Sequence, residues 1–344
     1  MLSTIYRLAA PRRFEKVLVD EPLPGDKILV RPTYLSICMA DQRYFLGTRD
    51  PKVLEKKLPM ALVHEGTGVI QYDPHGELTP GTPVLMVPNN PTEEDPVRAE
   101  NYLRSSTFAG SSEDGFLQEL VRLSPHRIVP IEHGEVSGET AAFTELVSVS
   151  MHAISRFLET AHTDRRRIGI WGDGNLGYIV SLLLTRLLPD SEIVVFGRSR
   201  EKLENFTFAA ATYLTDDIPA GFQLDHGFEC AGGNGSADAI AQFISLVRPE
   251  GTLMLMGVSE YSQPVETRMV LEKGLRLVGS SRSGRQDFEN VLALYRDHPE
   301  AVRYLSRLVN GVYDIHNVDD ITNCFEMDSH PHFGKSILKM SNRD

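Results

Sequence analysis

Two regimes of hydrophobic patterning divide the chain. Up to residue 87, short apolar–polar alternations recur between Gly and Pro. Lys27-Ile28-Leu29-Val30-Arg31-Pro32-Thr33-Tyr34 is followed by Gly66-Thr67-Gly68-Val69-Ile70 and, after Gly81, by Pro83-Val84-Leu85-Met86-Val87. A period of two marks strands with one buried face, and the frequent punctuation predicts a compact β-rich module rather than a βαβ array. Thr4-Ile5-Tyr6-Arg7-Leu8 reads as the first strand. Residues 88–114 are polar, hold three prolines and lack a period, so they are expected to form a long surface excursion. Strand character resumes over 116–130.

From about Thr140 the period becomes helical, through Ala141-Ala142-Phe143-Thr144-Glu145-Leu146-Val147 and on to Phe157. Strands at 168–172, 192–197, 212–214, 225–230, 252–257 and 275–279 then alternate with helices, the clearest at 235–247. Such alternation predicts a doubly wound parallel sheet. Beyond Gln286 two or three helices precede the strand Gly334-Lys335-Ser336-Ile337-Leu338-Lys339-Met340, which is expected to return to the first module. The expected fold class is α/β. A β-rich domain of residues 1–145 and 286–344 carries the chemistry, and a dinucleotide-binding domain spans 146–285.

That second domain opens on a fingerprint. The alternation Arg167-Ile168-Gly169-Ile170-Trp171 runs into Gly172-Asp173-Gly174-Asn175-Leu176-Gly177, and the apolar helix Tyr178-Ile179-Val180-Ser181-Leu182-Leu183-Leu184 follows. Strand, glycine turn and helix in this order bind a dinucleotide pyrophosphate at the helix start. Gly172 permits the turn, Gly174 lets the backbone approach the phosphates, and Gly177 lets helix and strand pack closely. The competing reading is an ordinary glycine turn. The second strand ends Phe196-Gly197-Arg198-Ser199-Arg200, with no acid before Glu201 to bind a ribose 2′-hydroxyl. Arg198 and Ser199 suit a 2′-phosphate instead, which favours NADPH over NADH, unless this is simply a solvated loop.

The formal net charge of −12 argues against nucleic acid as a partner, since phosphate contacts need a basic face. No apolar run reaches the roughly 18 residues of a membrane span. The cysteines Cys38, Cys230 and Cys324 are odd in number and far apart, so a disulfide framework is not expected and a reducing, cytoplasmic compartment fits. The basic N-terminus lacks the features of a transit or signal peptide. Cys230, ending a core strand, and Cys324, on an apolar-faced helix, read as packing residues.

Three features before the fingerprint carry chemistry. Ser36-Ile37-Cys38-Met39-Ala40-Asp41 places a cysteine in a turn after a strand, with an acid three residues on. Leu62-Val63-His64-Glu65-Gly66-Thr67-Gly68 sets His beside Glu. Glu145 sits in an apolar helical run, where a carboxylate costs much free energy unless paired or bound to a cation. Thiolate, imidazole and carboxylate are a natural zinc set. Singly, each has a plainer reading: a small buried cysteine, a hydrogen-bonded histidine, a glutamate paired with arginine.

Together, and in this order before the fingerprint, these residues resemble the zinc-containing medium-chain dehydrogenase/reductase superfamily over essentially the whole chain. The resemblance implies a GroES-like β-rich catalytic domain and a Rossmann domain. It implies a catalytic zinc at Cys38, His64, Glu65 and Glu145, with Asp41 orienting the histidine, and Glu65 either a direct ligand or exchanging places with a zinc-bound water. Two departures stand out. Ala40 lies where alcohol dehydrogenases carry a hydroxyl that begins a proton relay, and 88–114 lacks the cysteines of a structural zinc, so one zinc per subunit is expected.

Within the superfamily, several long segments resemble the ribulose-5-phosphate reductases. They are Ser36 to Tyr44, Val87-Pro88-Asn89-Asn90-Pro91-Thr92-Glu93, Ala99-Glu100-Asn101-Tyr102-Leu103-Arg104-Ser105-Ser106, Ile170 to Tyr178, and Leu271-Glu272-Lys273-Gly274 to Ser280-Ser281-Arg282-Ser283-Gly284. This implies zinc-dependent reduction of D-ribulose 5-phosphate by NADPH, supplying ribitol phosphate for teichoic acid or capsule. It also implies a homodimer and association with a ribitol-5-phosphate cytidylyltransferase. The substrate phosphate needs cations: Arg43 is preferred for its place beside the metal turn, with Arg49, Arg104, Arg282 and Lys335 as further candidates. The alternatives are an NAD-dependent polyol dehydrogenase of the sorbitol type acting on free sugar alcohols, a zinc-free quinone or enoyl reductase, and a non-catalytic dinucleotide binder.

Overall fold

The alternating segments become strands of two separate sheet systems in the computed structural model, which describes residues 2–20, 25–330 and 332–341. The chain divides into two units, Met1–Ser148 with Arg282–Asp344, and Val149–Ser281.

In the first unit a sheet runs in the order Ile128–Pro130, Pro83–Met86, Glu65–Tyr72, Ile28–Ser36, Lys335–Met340 and Val309–Ile315, with Val121–Leu123 also paired to Ile28–Ser36. Arg13–Asp20, Leu2–Ala10 and Met60–Ala61 form a second, three-stranded sheet. The C-terminal strand runs antiparallel to Ile28–Ser36, with Ile337 opposite Ser36, and Ser36 also faces Glu65 on its other side. Three neighbouring strands therefore end together, which brings Lys335, Glu65 and the turn after Ser36 to one place. Below them lies the apolar core, where the Phe14, Phe45 and Phe325 rings pack with centroids 5.0–5.9 Å apart.

Segment 88–114, expected as a long surface loop, is tied down at several points. Asn89–Asn90 pairs with Thr107–Phe108. The Glu100 carboxylate accepts from Arg127 at 2.7 and 3.1 Å and from the Arg285 backbone N–H at 2.9 Å. Asp114 accepts from Arg7 at 2.6 Å and from the Ala61 N–H at 2.7 Å. Ion pairs and side-chain-to-backbone bonds leave no hydrophobic period, so pattern reading could not show this anchoring. Pattern also missed the strand Val309–Ile315, in which the inward Gly311 and the outward Val312 break the apolar alternation, and the seven-residue helices Met39–Phe45 and Pro51–Lys57, too short to display a period.

The second unit is a six-stranded parallel sheet in the order Ala211–Leu214, Glu192–Gly197, Arg167–Trp171, His226–Glu229, Thr252–Leu255 and Arg276–Gly279. This is the doubly wound arrangement, with the order reversing beside the strand that feeds the fingerprint. Trp171 stacks on Phe196 at 4.6 Å and donates to Gln242 Oε1 at 2.9 Å, which satisfies its buried N–H.

His226 opens a central strand with no exposed surface. Its Nδ1 accepts from the Thr252 N–H at 3.1 Å, and its ring packs against Phe157 and His162. Burial, then the neighbouring His162, lower its pKa from 6.5 to about 4. The unfolded imidazole takes up a proton near 6.5 and the folded one only near 4. This contribution to stability is therefore intact above about pH 6.5 and lost as pH falls toward 4, by up to about 3 kcal/mol. Urea unfolding read by Trp171, the single tryptophan and in the same unit, should show that His226→Gln flattens the pH dependence in that window. Parallel curves for the two proteins would refute the assignment.

Candidate active site

The three converging strand ends hold a knot of polar side chains in an apolar surround. Cys38 is the residue before the helix Met39–Phe45, and Asp41 lies in that helix's first turn with no exposed surface. One Asp41 oxygen accepts the Cys38 N–H at 3.0 Å, the other accepts the Val63 N–H at 3.0 Å and lies 3.8 Å from His64 Nδ1. The carboxylate thus reaches the imidazole by charge alone, while its hydrogen bonds fasten the two backbone segments that carry Cys38 and His64. Val63 has a φ of +69°, a left-handed conformation costly for a β-branched residue. It is held there from both sides, because its carbonyl also accepts from the Phe116 N–H at 2.6 Å. Such backbone strain, of order 1–3 kcal/mol, persists where surroundings over-determine it, and here it sits one residue before a candidate ligand.

Cys38, His64 and Glu65 each present a ligand atom, all within 4.8 Å of one another. Glu65 begins its strand fully buried, and Lys335 Nζ donates to its Oε1 at 3.0 Å. The same ammonium lies 2.9 Å from Oε2, but that approach lacks hydrogen-bond geometry and leaves Oε2 without a bonded partner. Glu145 lies in the first turn of the helix Thr144–Thr160, where the helix dipole favours a negative charge, yet it is only 5% exposed. Burial raises its pKa to about 7; the charges of Glu65 and Asp41 add to this, while His64 and Lys335 oppose it. Burial opposes a proton on His64, but Asp41, Cys38 and Glu145 outweigh it and hold the pKa well above the ordinary value.

Charge decides what this knot can hold. Asp41, Glu65 and Glu145 are buried carboxylates beside a thiol, and Lys335 is the lysine paired into them. Buried carboxylates are costly unless cationic charge joins them. Here Lys335 and the proton that the acids hold on His64 supply it, a part that a metal ion would take over from that proton. The His64 Nδ1 and Glu65 Oε2 atoms, buried without hydrogen-bond partners, point the same way. The donor set of sulfur, imidazole and carboxylate fits zinc.

Among the cations expected for the substrate phosphate, Lys335 is paired within the knot. It is 4% exposed and committed to Glu65, a pairing that follows from strand register and was invisible in the sequence. Arg282 lies over the Phe108 ring at 4.7 Å, and Phe108 packs on His64 with centroids 5.3 Å apart. Arg49 covers Tyr44 at 4.9 Å, Arg43 is half-buried on the Asp41 helix, and Arg104 is exposed. The Cys230 and Cys324 thiols are both pushed up by burial, as suits packing residues.

In the second unit the fingerprint borders a cavity of about 450 Å³ lined by Gly172, Asp173, Gly174, Arg198, Asp216 and Gln242 among others. Asn175 and Leu176 begin the helix Asn175–Leu187. A Cβ on Gly174 would meet nothing within 4 Å, so the backbone there is open to a ligand, whereas one on Gly177 would lie 1.9 Å from the Gly172 carbonyl oxygen. Asp173, an unassigned position in the motif, accepts the N–H groups of Arg198 and Ser199 at 2.7 and 2.8 Å. It thereby fixes the loop that carries Arg198 and Ser199. Ser199 Oγ caps the helix Arg200–Leu203 by accepting from Lys202, and the Arg198 side chain lines the cavity.

The Lys335–Glu65 pair yields a stability prediction. Truncating one member of a buried ion pair strands the other, at a cost of roughly 3–5 kcal/mol. Lys335→Met should lose about that much in chemical denaturation, and Lys335→Met with Glu65→Gln should lose less than the sum of the single changes. Strict additivity would mean that the two groups do not support each other.

The alcohol dehydrogenase GroES-like domain model matches residues 24–133. The chain is 49% identical over 339 residues to a ribulose-5-phosphate reductase of Bacillus spizizenii, covering 98% of this chain and 99% of that protein. It is 44% identical to one of Streptococcus pneumoniae, covering 98% and 97%. Among solved structures, Staphylococcus aureus TarJ in complex with NADPH matches with a TM-score of 0.89 at 42% identity, over 99% of this chain and 100% of that one. Galactitol-1-phosphate dehydrogenase from Escherichia coli, at 19% identity and a TM-score of 0.77 over 98% and 100%, shares the fold. With that identity maintained from end to end, the chain belongs to the ribulose-5-phosphate reductase family of the medium-chain dehydrogenases/reductases.

Proposed function

We propose that this protein reduces D-ribulose 5-phosphate to D-ribitol 5-phosphate with NADPH, using one zinc ion held by Cys38, His64, Glu65 and Glu145. The observation that carries this reading is the Cys38–His64–Glu65 cluster, with His64 and Glu65 buried, in a chain 49% identical, end to end, to a ribulose-5-phosphate reductase. NADPH is supported by the cofactor bound to TarJ and by Arg198 at the edge of the fingerprint cavity. A single zinc is supported by the lack of cysteine in 88–114.

When bound, zinc supplies Lewis acidity toward a carbonyl oxygen and NADPH supplies a hydride. The chain's own part is to position and to handle charge. Asp41 locks the Cys38 and Val63 segments, so the ligand atoms are placed before any metal arrives and little reorganisation is needed. Reduction also requires a proton at the former carbonyl oxygen. Ala40 offers no hydroxyl for it, and Glu65 is the proposed carrier, with the Lys335 ammonium beside it.

The proposal extends to a cytoplasmic homodimer that passes ribitol 5-phosphate to a cytidylyltransferase for teichoic acid or capsule synthesis. It is compatible with the finding that no helix among the described residues is long and apolar enough to cross a membrane. The direct test is NADPH consumption with D-ribulose 5-phosphate, run beside free D-ribulose and with a chelator. Turnover of the ester should be lost on metal removal and restored by zinc, and Cys38→Ser should lower both bound zinc and turnover. Preferred use of free sugar alcohols with NAD would instead assign a polyol dehydrogenase, and full activity without metal would remove zinc from the reading.

A further inference from the structure

The turn that carries Phe108 brings two cations to the side of the ligand cluster, and nothing above uses them together. Phe108 packs its ring on His64 and carries the Arg282 guanidinium over its face. Three residues later the Ser111 carbonyl accepts a hydrogen bond of 2.6 Å from Lys57 Nζ. The turn between them is tight. The Ser111 and Ser112 N–H groups both return to the Phe108 carbonyl, at 3.1 and 2.9 Å, and Ser112 Oγ accepts from the Phe108 N–H at 2.7 Å. An ammonium and a guanidinium are therefore mounted on one rigid element that also touches the imidazole.

Arg282 is held with unusual care. Its φ of +60° is a conformation that non-glycine residues adopt rarely and keep mainly at functional sites. The next residue is pinned by a 2.7 Å contact between the Ser283 and Ser148 hydroxyls. Stacking over Phe108 leaves the in-plane N–H groups of a guanidinium able to donate. Among the described residues, no salt bridge neutralises Lys57 or Arg282. Glu145 is the acid whose charge reaches Arg282. Lys57 is instead crowded by cations: burial first, then Lys56, Arg282 and Arg49, pull its pKa down. Like charges gathered at a half-buried position without a counter-charge mark a place that an anion completes.

We infer that Lys57 and Arg282, with Arg49 adding charge behind them, bind the phosphate monoester of the substrate and make the enzyme select the ester over the free sugar. The inference rests on the ketose-phosphate reading above. In that substrate the phosphate sits three carbons beyond the carbonyl carbon, which calls for cations beside the metal ligands rather than among them. A guanidinium grips phosphate through paired N–H donors and an ammonium adds a point charge, so the two side chains are complementary rather than redundant. Lys57 carries no sequence motif; its placement comes entirely from its bond to Ser111.

The test compares wild type, Lys57→Gln, Arg282→Gln and Lys57→Arg as zinc-loaded enzymes, with D-ribulose 5-phosphate and with D-ribulose, and follows inhibition by inorganic phosphate. In each Gln variant the ratio of kcat/KM for the ester to that for the free sugar should fall about tenfold or more, chiefly through KM, and inhibition by phosphate should weaken with it. Lys57→Arg should keep most of the preference. An unchanged ratio in a wild type that uses the ester, or equal losses on both substrates, overturns the subsite and leaves the reductase reading standing. A wild type that ignores the ester but binds inorganic phosphate, with binding lost in Lys57→Gln, sinks the reductase reading and keeps the anion site. Should Arg282→Gln fail to fold, Lys57→Gln, at a half-exposed helix end, decides alone.

Discussion

One carboxylate sets the geometry on which the chemistry of the first unit depends. Asp41 is fully buried, and its two oxygens are spent on the backbone N–H groups of Cys38 and of Val63, 22 residues beyond Asp41 itself. Without it, the Cys38 turn would lose its anchor and Val63 would keep only the Phe116 bond to hold its left-handed conformation, so His64 would be aimed less firmly. Charge-assisted bonds to backbone amides suit this work because they fix a chain path rather than a side-chain rotamer. The same device recurs in the second unit. There Asp173 captures the Arg198 and Ser199 amides, and Asp225 accepts the Arg167 N–H at 2.8 Å at the foot of the fingerprint strand. In each unit an acidic side chain, not a longer run of secondary structure, positions the loop that meets the ligand.

Such anchoring concentrates negative charge, and the first unit manages that charge through sheet topology. The C-terminal strand returns beside Ile28–Ser36 and delivers Lys335 to Glu65. Three buried acids against one lysine leave a negative excess that a proton held on His64 offsets, and the sulfur, imidazole and carboxylate donors gathered there are of the types that fit zinc. Burial, with the charges of Glu65 and Asp41, raises the pKa of Glu145 to about 7, so its charge is unfavourable among these acids. The cations of the Phe108 turn lie beside His64, where among the acids Glu145 reaches Arg282 by charge without forming a salt bridge to it. Acids at the ligand cluster with cations beside it suit a substrate with a polarised carbonyl and a remote phosphate.

How much of this was legible beforehand depends on the range of each interaction. The six strands of the parallel sheet and the glycine fingerprint were read closely, because hydrophobic period and glycine placement are local signals. The ligand residues Cys38, His64, Glu65 and Glu145 were named from residue chemistry and a family resemblance, but nothing in their spacing proved that they meet. The pairing of Lys335 with Glu65 was not anticipated and Lys57 was not singled out, since a lysine near a helix or strand end carries no period and no motif. Asp173 passed as the variable position of a motif, although its side chain holds the adjacent loop.

By itself, then, the sequence determined the two kinds of domain, the place of the dinucleotide turn and the residue types capable of holding a metal. These follow from backbone propensity, burial period and ligand chemistry, all of which act within a few residues. Only the tertiary structure decided which charges face one another: Glu65 with Lys335 across 270 residues, Asp41 with the Val63 amide, and Lys57 and Arg282 on one turn beside His64. Coulomb interactions and hydrogen bonds depend on distance in space, and strand register sets that distance without leaving a trace in the order of residues.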